Sequence, residues 1–98
     1  MTMTAFFETE RASRSLTALC HHFGRKVAAN CDDHAGWVEF PFGRCEFLAS
    51  DNQLTLTASA EEESHLAQVT QIVTNHLERF EFRENPTLTW KAEPREAR

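Results

Sequence analysis

Three consecutive stretches, residues 36–42, 44–49 and 53–58, carry an apolar side chain at every second position: Val38, Phe40 and Phe42, then Cys45, Phe47 and Ala49, then Leu54, Leu56 and Ala58. A period of two gathers these residues on one face of a pleated strand and turns Trp37, Glu39, Thr55 and Thr57 to the other. Alternation this clean suits an antiparallel sheet with one covered face, whereas parallel strands buried on both sides are apolar throughout. The connections agree. Pro41-Phe42-Gly43-Arg44 and Asp51-Asn52 hold the residues that tight turns require, and Cys31-Asp32-Asp33-His34-Ala35-Gly36 joins this meander to an earlier extended segment at 27–30. Residues 3–9 alternate as well, with Met3, Ala5 and Phe7 opposite Thr4, Phe6 and Glu8, so that Phe6 leaves the second face only partly polar.

Two amphipathic helices supply the cover. From 11 to 23 the apolar positions are Ala12, Leu16, Leu19, Cys20 and Phe23, one face of a helix. Gly24 suits a left-handed C-terminal cap, and Arg25 and Lys26 put positive charge where the helix dipole favours it. Ser59 with Glu62 matches a capping box, and the stripe that follows runs through Leu66, Val69, Ile72, Val73, His76, Leu77 and Phe80, with Arg79 near its end. Asn85-Pro86 breaks the helical pattern, and Leu88 with Trp90 against Thr87, Thr89 and Lys91 predicts a last strand, after which 93–98 forms a frayed tail. The expected fold is α+β: a two-layer sandwich, a largely antiparallel sheet with two helices on one face, in the order β-α-β-β-β-β-α-β. The uncovered sheet face would carry Trp37 and Phe6, an aromatic patch suited to a dimer contact or a ligand.

With 98 residues the chain makes one domain, 1–98, and 41% hydrophobic residues with eight Phe give it a core without disulfides or metal. Its net charge of −5 repels phosphate backbones, so nucleic acid is not the expected partner. No apolar run approaches the roughly 18 residues of a membrane-spanning helix, and Met1 to Glu8 lacks the pattern of a signal peptide. A cytoplasmic protein without membrane attachment is expected. Cys20, Cys31 and Cys45 are an odd number at wide spacing, with no close Cys or His pair, so neither a structural metal nor a cofactor is expected. Cys20 on its helical stripe and Cys45 on its strand face behave as small hydrophobes.

The chain contains no Gly-x-x-x-x-Gly-Lys-Ser/Thr loop, no Gly-x-Gly-x-x-Gly, no Gly-x-Ser-x-Gly and no His-Glu-x-x-His. Glu61-Glu62-Glu63 is most simply a helix start matched to its dipole, and Asp32-Asp33-His34 a polar turn. His76 falls near the centre of the second stripe, where an imidazole is most simply a neutral core group bonded to a carbonyl. His22 sits at the margin of the first stripe, and His21 points to solvent. At the end of the second helix the run Arg79-Phe80-Glu81-Phe82-Arg83-Glu84 alternates charge with aromatic carbon. Arg83 and Glu84 most simply pair with each other or with backbone carbonyls. The sharper reading joins Arg83 to Lys26 as a cationic site for a carboxylate or phosphate, with His22, His76, Arg79 and Glu84 around it.

Leu19-Cys20-His21-His22-Phe23-Gly24-Arg25-Lys26, Phe40-Pro41-Phe42-Gly43-Arg44-Cys45 and His76-Leu77-Glu78-Arg79-Phe80-Glu81-Phe82-Arg83-Glu84 with Trp90 together resemble a small bacterial family, the domain of unknown function number 2218. The resemblance spans nearly the whole chain, with Arg25 where the family often has histidine and Glu81 where it often has alanine. Similar domains stand near siderophore-interacting flavin reductases, which implies an accessory part in bacterial iron handling. Some similar proteins carry the name of an aldolase acting on a dihydroxyheptenedioate, but that barrel takes about 250 residues and this chain cannot close one.

The expected function is therefore a non-catalytic accessory module that binds a small anionic ligand or a partner protein through His22, Lys26, His76, Arg79, Arg83 and Glu84. One alternative is a small enzyme with His22 or His76 as general base and Arg83 as electrostatic stabiliser, and the balance is against it. The other is a structural homodimer paired through Trp37 and its strand neighbours.

Overall fold

The alternating stretches form one sheet, every neighbouring pair antiparallel. The computed structural model describes residues 1–80 and 90–92. Along the chain run β1 (Thr2–Glu8), α1 (Ala12–Phe23), β2 (Ala28–Cys31), β3 (Ala35–Phe40), β4 (Gly43–Ala49), β5 (Gln53–Ser59), α2 (Glu63–Phe80) and β6 (Lys91–Ala92). The spatial order is β2-β3-β4-β5-β1-β6. The expected α+β sandwich and its element order are thus observed. The meander β2 to β5 is built from successive neighbours, and the first strand closes against β5, pairing Ala5 with Leu56 and Phe7 with Leu54. Met3 and Thr4 pair on the other side with Ala92 and Lys91. Arg83, Glu84, Asn85-Pro86, Leu88 and the expected tail at 93–98 lie outside the described residues.

One face of this sheet is dry. Ala5, Val38, Cys45, Leu54, Leu56 and Ala58 are fully buried, and Phe7 and Phe47 nearly so. Leu16, Leu19, Cys20 and Phe23 of α1 and Leu66, Val69, Val73 and Leu77 of α2 meet them in a single cluster. Each Leu, Val or Phe side chain taken fully out of water contributes roughly 1.5–3 kcal/mol, which is why the two stripes settle on the sheet. Trp90, entering β6, packs against this cluster and donates its indole N–H to Thr74 Oγ1 at 2.8 Å.

Two expectations about helix ends are corrected. Gly24 is right-handed, with φ −62° and ψ −12°. The chain keeps winding past it, because the N–H groups of Lys26 and Val27 both donate to the Phe23 carbonyl at 3.0 Å, so no left-handed residue is needed. Ser59 ends β5, paired with Thr2 and Arg44, rather than capping α2. The first helical carbonyl is that of Glu62, which accepts Leu66 N–H at 2.9 Å, so the sheet claims Ser59 before the helix begins. By contrast, the expected turn at Asp32 forms: its carboxylate accepts the N–H groups of His34 and Ala35 at 2.8 and 2.9 Å, which lowers its pKa.

Gly36 is needed for close approach. A Cβ there would lie 2.7 Å from Cys31 Cβ, 2.8 Å from Cys20 Sγ and 3.0 Å from the Asn30 carbonyl, so α1 can settle over β2 and β3 only above a bare Cα. Gly36→Val is expected to destabilise the fold by about 1–3 kcal/mol through overpacking. Thermal unfolding followed by circular dichroism reads this directly, since each kcal/mol lowers the Tm of a domain this size by roughly 4–8 °C.

Candidate functional site

The last turn of α1 and the last turns of α2 come together at one end of the helical layer. His22 and His76 meet there with ring centroids 4.6 Å apart and planes tilted by 50°. Phe23 packs beside them, 4.7 Å from the His76 ring and 5.8 Å from that of His22. His76 is half-buried on the flank of the α2 stripe rather than at its centre, because the positions that face the sheet squarely are Leu66, Val69, Val73 and Leu77. Its Nδ1 lies 2.7 Å from the Ile72 carbonyl. A carbonyl only accepts, so Nδ1 carries a proton, and whenever the ring is neutral its lone pair lies on Nε2.

Electrostatically, several basic side chains act at this corner. The His22 pKa is lowered from its ordinary 6.5, first by burial and then by the charges of His76, Arg25, Arg79 and Lys26. Four basic side chains therefore act on one imidazole in a chain whose net charge is −5. Of the residues expected at the site, His22, His76, Lys26 and Arg79 are gathered here, while Arg83 and Glu84 lie outside the described residues. Arg25 joins them. It follows His22 by three positions at the end of the helix, a spacing that brings side chains to the same side and that could have marked it in the sequence.

The lowered pKa couples His22 to folding. The unfolded chain binds a proton at His22 near pH 6.5 and the folded chain only at lower pH, so between those values the unfolded state holds more protons. Stability at His22 is complete above pH 6.5 and is lost as pH falls through that window. Urea unfolding at pH 7.5 and 5.5 is expected to show a larger loss for the native chain than for His22→Gln, which has no proton to take up.

The opposite, uncovered sheet face is different in character. Asn30, Trp37, Glu46, Thr57 and Thr4 form one cross-strand row, and Ala35, Leu48, Thr55 and Phe6 the next. Trp37 is half-buried, with the Arg44 guanidinium 4.9 Å from its ring centroid. Arg44 is held by Glu46 at 3.2 Å and Glu39 at 3.6 Å. The open apolar surface is instead Phe6 and Leu48, 53% and 56% exposed. A groove of about 510 Å³ runs beside Trp37, Leu48 and Thr55. Among the described residues, no group of three or more His, Cys, Asp or Glu side chains could hold a metal ion, and no helix is long and apolar enough to cross a membrane.

The family model described as an uncharacterized protein conserved in bacteria, DUF2218, matches residues 4–91. The chain belongs to the DUF2218 family. The match covers both helices and β2 to β5 in full, and so includes every residue of the basic corner. Among solved structures, this DUF2218 chain is similar to PA4090 from Pseudomonas aeruginosa, determined by NMR, with a TM-score of 0.79 and 28% identity over 92% of this chain and 94% of that one. A comparison with curated proteins finds no match.

Proposed function

We propose that this DUF2218 protein is a non-catalytic accessory module that binds a small carboxylate- or phosphate-bearing ligand at the corner of His22, His76, Lys26, Arg25 and Arg79. The observation that carries this reading is that four basic groups, His76, Arg25, Arg79 and Lys26, all act on His22 to lower its pKa. An anion placed there would gain charge-assisted hydrogen bonds and relieve that repulsion. Arg83 and Glu84 belong to the proposal on sequence grounds alone. The resemblance to domains found near siderophore-interacting reductases makes a ferric-siderophore carboxylate one ligand of this class. A cytoplasmic setting belongs to the same reading, supported by three free cysteines.

Isotope-labelled protein titrated with phosphate, citrate and a panel of anionic metabolites tests it. The largest shifts are expected at His22, His76, Lys26 and Arg79, and binding should tighten as pH falls from 7.5 to 5.5, because protonated His22 attracts the anion more strongly. Silence at these residues across the panel would remove the proposal. The enzyme alternative, with His22 or His76 as general base and Arg83 as electrostatic stabiliser, needs in addition that a bound ligand be converted, which the same spectra would report.

A second reading concerns the sheet. Phe6 and Leu48 are more than half exposed on one row of the uncovered face, which favours a homodimer paired through that face. Light scattering that finds only monomer at high micromolar concentration would remove it.

A further inference from the structure

We propose that Cys20 and Cys31 are a thiol modification site, forming a reversible intramolecular disulfide by exchange with a low-molecular-weight disulfide of the glutathione type. The two residues come from different elements, α1 and the end of β2, and flank the same missing side chain. The Cβ that Gly36 lacks would fall 2.7 Å from Cys31 Cβ and 2.8 Å from Cys20 Sγ. Cys31 lies near enough to Cys20 to raise its pKa, and Cys20 Sγ approaches the carbonyl of Asn30, the residue before Cys31, at 3.6 Å. A disulfide needs its Cβ atoms about 3.5–4.5 Å apart, a separation this crowding brings within reach without moving either element far.

Access and chemistry separate the partners. Cys31 is half-buried, and with Cys20 it lines an opening of about 340 Å³ whose walls include Arg25 and His21. Those side chains favour a carboxylate-bearing reagent. Cys20 is buried, and burial followed by the neighbouring Cys31 pushes its pKa up to about 12, so it is the poorer first nucleophile. Exchange therefore begins at Cys31. Its thiolate attacks one sulfur of glutathione disulfide and forms a mixed disulfide, expelling one glutathione thiolate that takes up the proton Cys31 released. Loss of the Cys31 thiolate also removes its repulsion of a charge on Cys20. Cys20 then gives up its proton and attacks Cys31 Sγ, expelling the second glutathione as its thiol. In total the protein dithiol loses two electrons and two protons, and one glutathione disulfide becomes two glutathione thiols. Cys45 is buried in the core, where burial raises its pKa, and lines none of this opening, so it stays reduced.

The test incubates the folded chain with glutathione disulfide, then denatures it, alkylates the remaining thiols with N-ethylmaleimide and maps the peptides by mass spectrometry. The expected product is a monomer lacking two hydrogens, with Cys20 linked to Cys31 and alkylation confined to Cys45, and dithiothreitol should restore three reactive thiols. Cys20→Ser should halt at a glutathione adduct on Cys31, and Cys31→Ser, at the half-buried position, should lose the reaction while keeping its circular dichroism spectrum. Three alkylated cysteines in the treated native chain would overturn the proposal, as would a link that includes Cys45 or one that joins two chains. The readout on the native chain holds even where a serine variant folds poorly.

Discussion

Phe47→Ala is expected to cost about 3–5 kcal/mol, the range for deleting a large aromatic side chain from a packed core. Phe47 is 2% exposed on the inward face of β4, between Gly36 of β3 and Leu56 of β5, beneath the helical layer. Because domains of this size are stable by only about 5–15 kcal/mol, that loss takes a large share of the total. Phe6→Ala on the other side of the sheet removes the same atoms from a residue 53% exposed, and a surface change of this kind stays within about 0.5 kcal/mol. Urea midpoints of the two variants, measured with unchanged slope, compare the faces directly. Equal losses would mean that the helices do not cover the face described.

Combining His22→Ala with Arg79→Gln, which removes two charge-assisted contacts, is expected to weaken binding of an anion such as citrate on the order of 100–10,000-fold. Removing one charge-assisted hydrogen bond loses roughly 1.5–3 kcal/mol, and each ~1.4 kcal/mol is tenfold in affinity. Arg79 is exposed, so its share should shrink as salt rises. Fold stability should change little, since Leu77 and Val73 rather than Arg79 hold α2 to the sheet. Calorimetric titration at low salt, beside thermal unfolding of the same samples, separates lost binding from lost structure. An affinity that survives the double substitution would place any anion elsewhere.

Much of the architecture was legible because it follows from local periods. Cys45, Phe47 and Ala49 alternate with Arg44, Glu46 and Leu48, and the buried set is the one that period two selects. The stripes of α1 and α2 likewise appear in the core at the positions helical spacing marks. Sequence pattern and structure part where one residue serves two elements. Ser59 carries both a strand partner and a capping signature, and tertiary pairing with Thr2 and Arg44 decided for the sheet. Gly24 permits a left-handed cap but does not require one, and the bonds to the Phe23 carbonyl made it unnecessary.

Helical spacing could suggest that His22 and His76 meet but could not fix the contact. It depends on how β1 inserts beside β5 and so on where α1 lies relative to α2, a long-range arrangement to which no spacing within either helix refers. Trp37 shows the same limit from the other side. Alternation assigned it to the uncovered face, but its partial covering by Arg44 depends on the register that sets Trp37 opposite Glu46 and Glu39 opposite Arg44.

The most direct measurement is the His22 ring pKa by NMR, taken first in low-salt buffer and then with saturating citrate. A value below 6.5 in the free protein that rises when the anion is added is the result expected from a burial-depressed imidazole ringed by His76, Arg25, Arg79 and Lys26. A value at or above 6.5 that citrate leaves unmoved would contradict the basic corner and the binding role proposed for it.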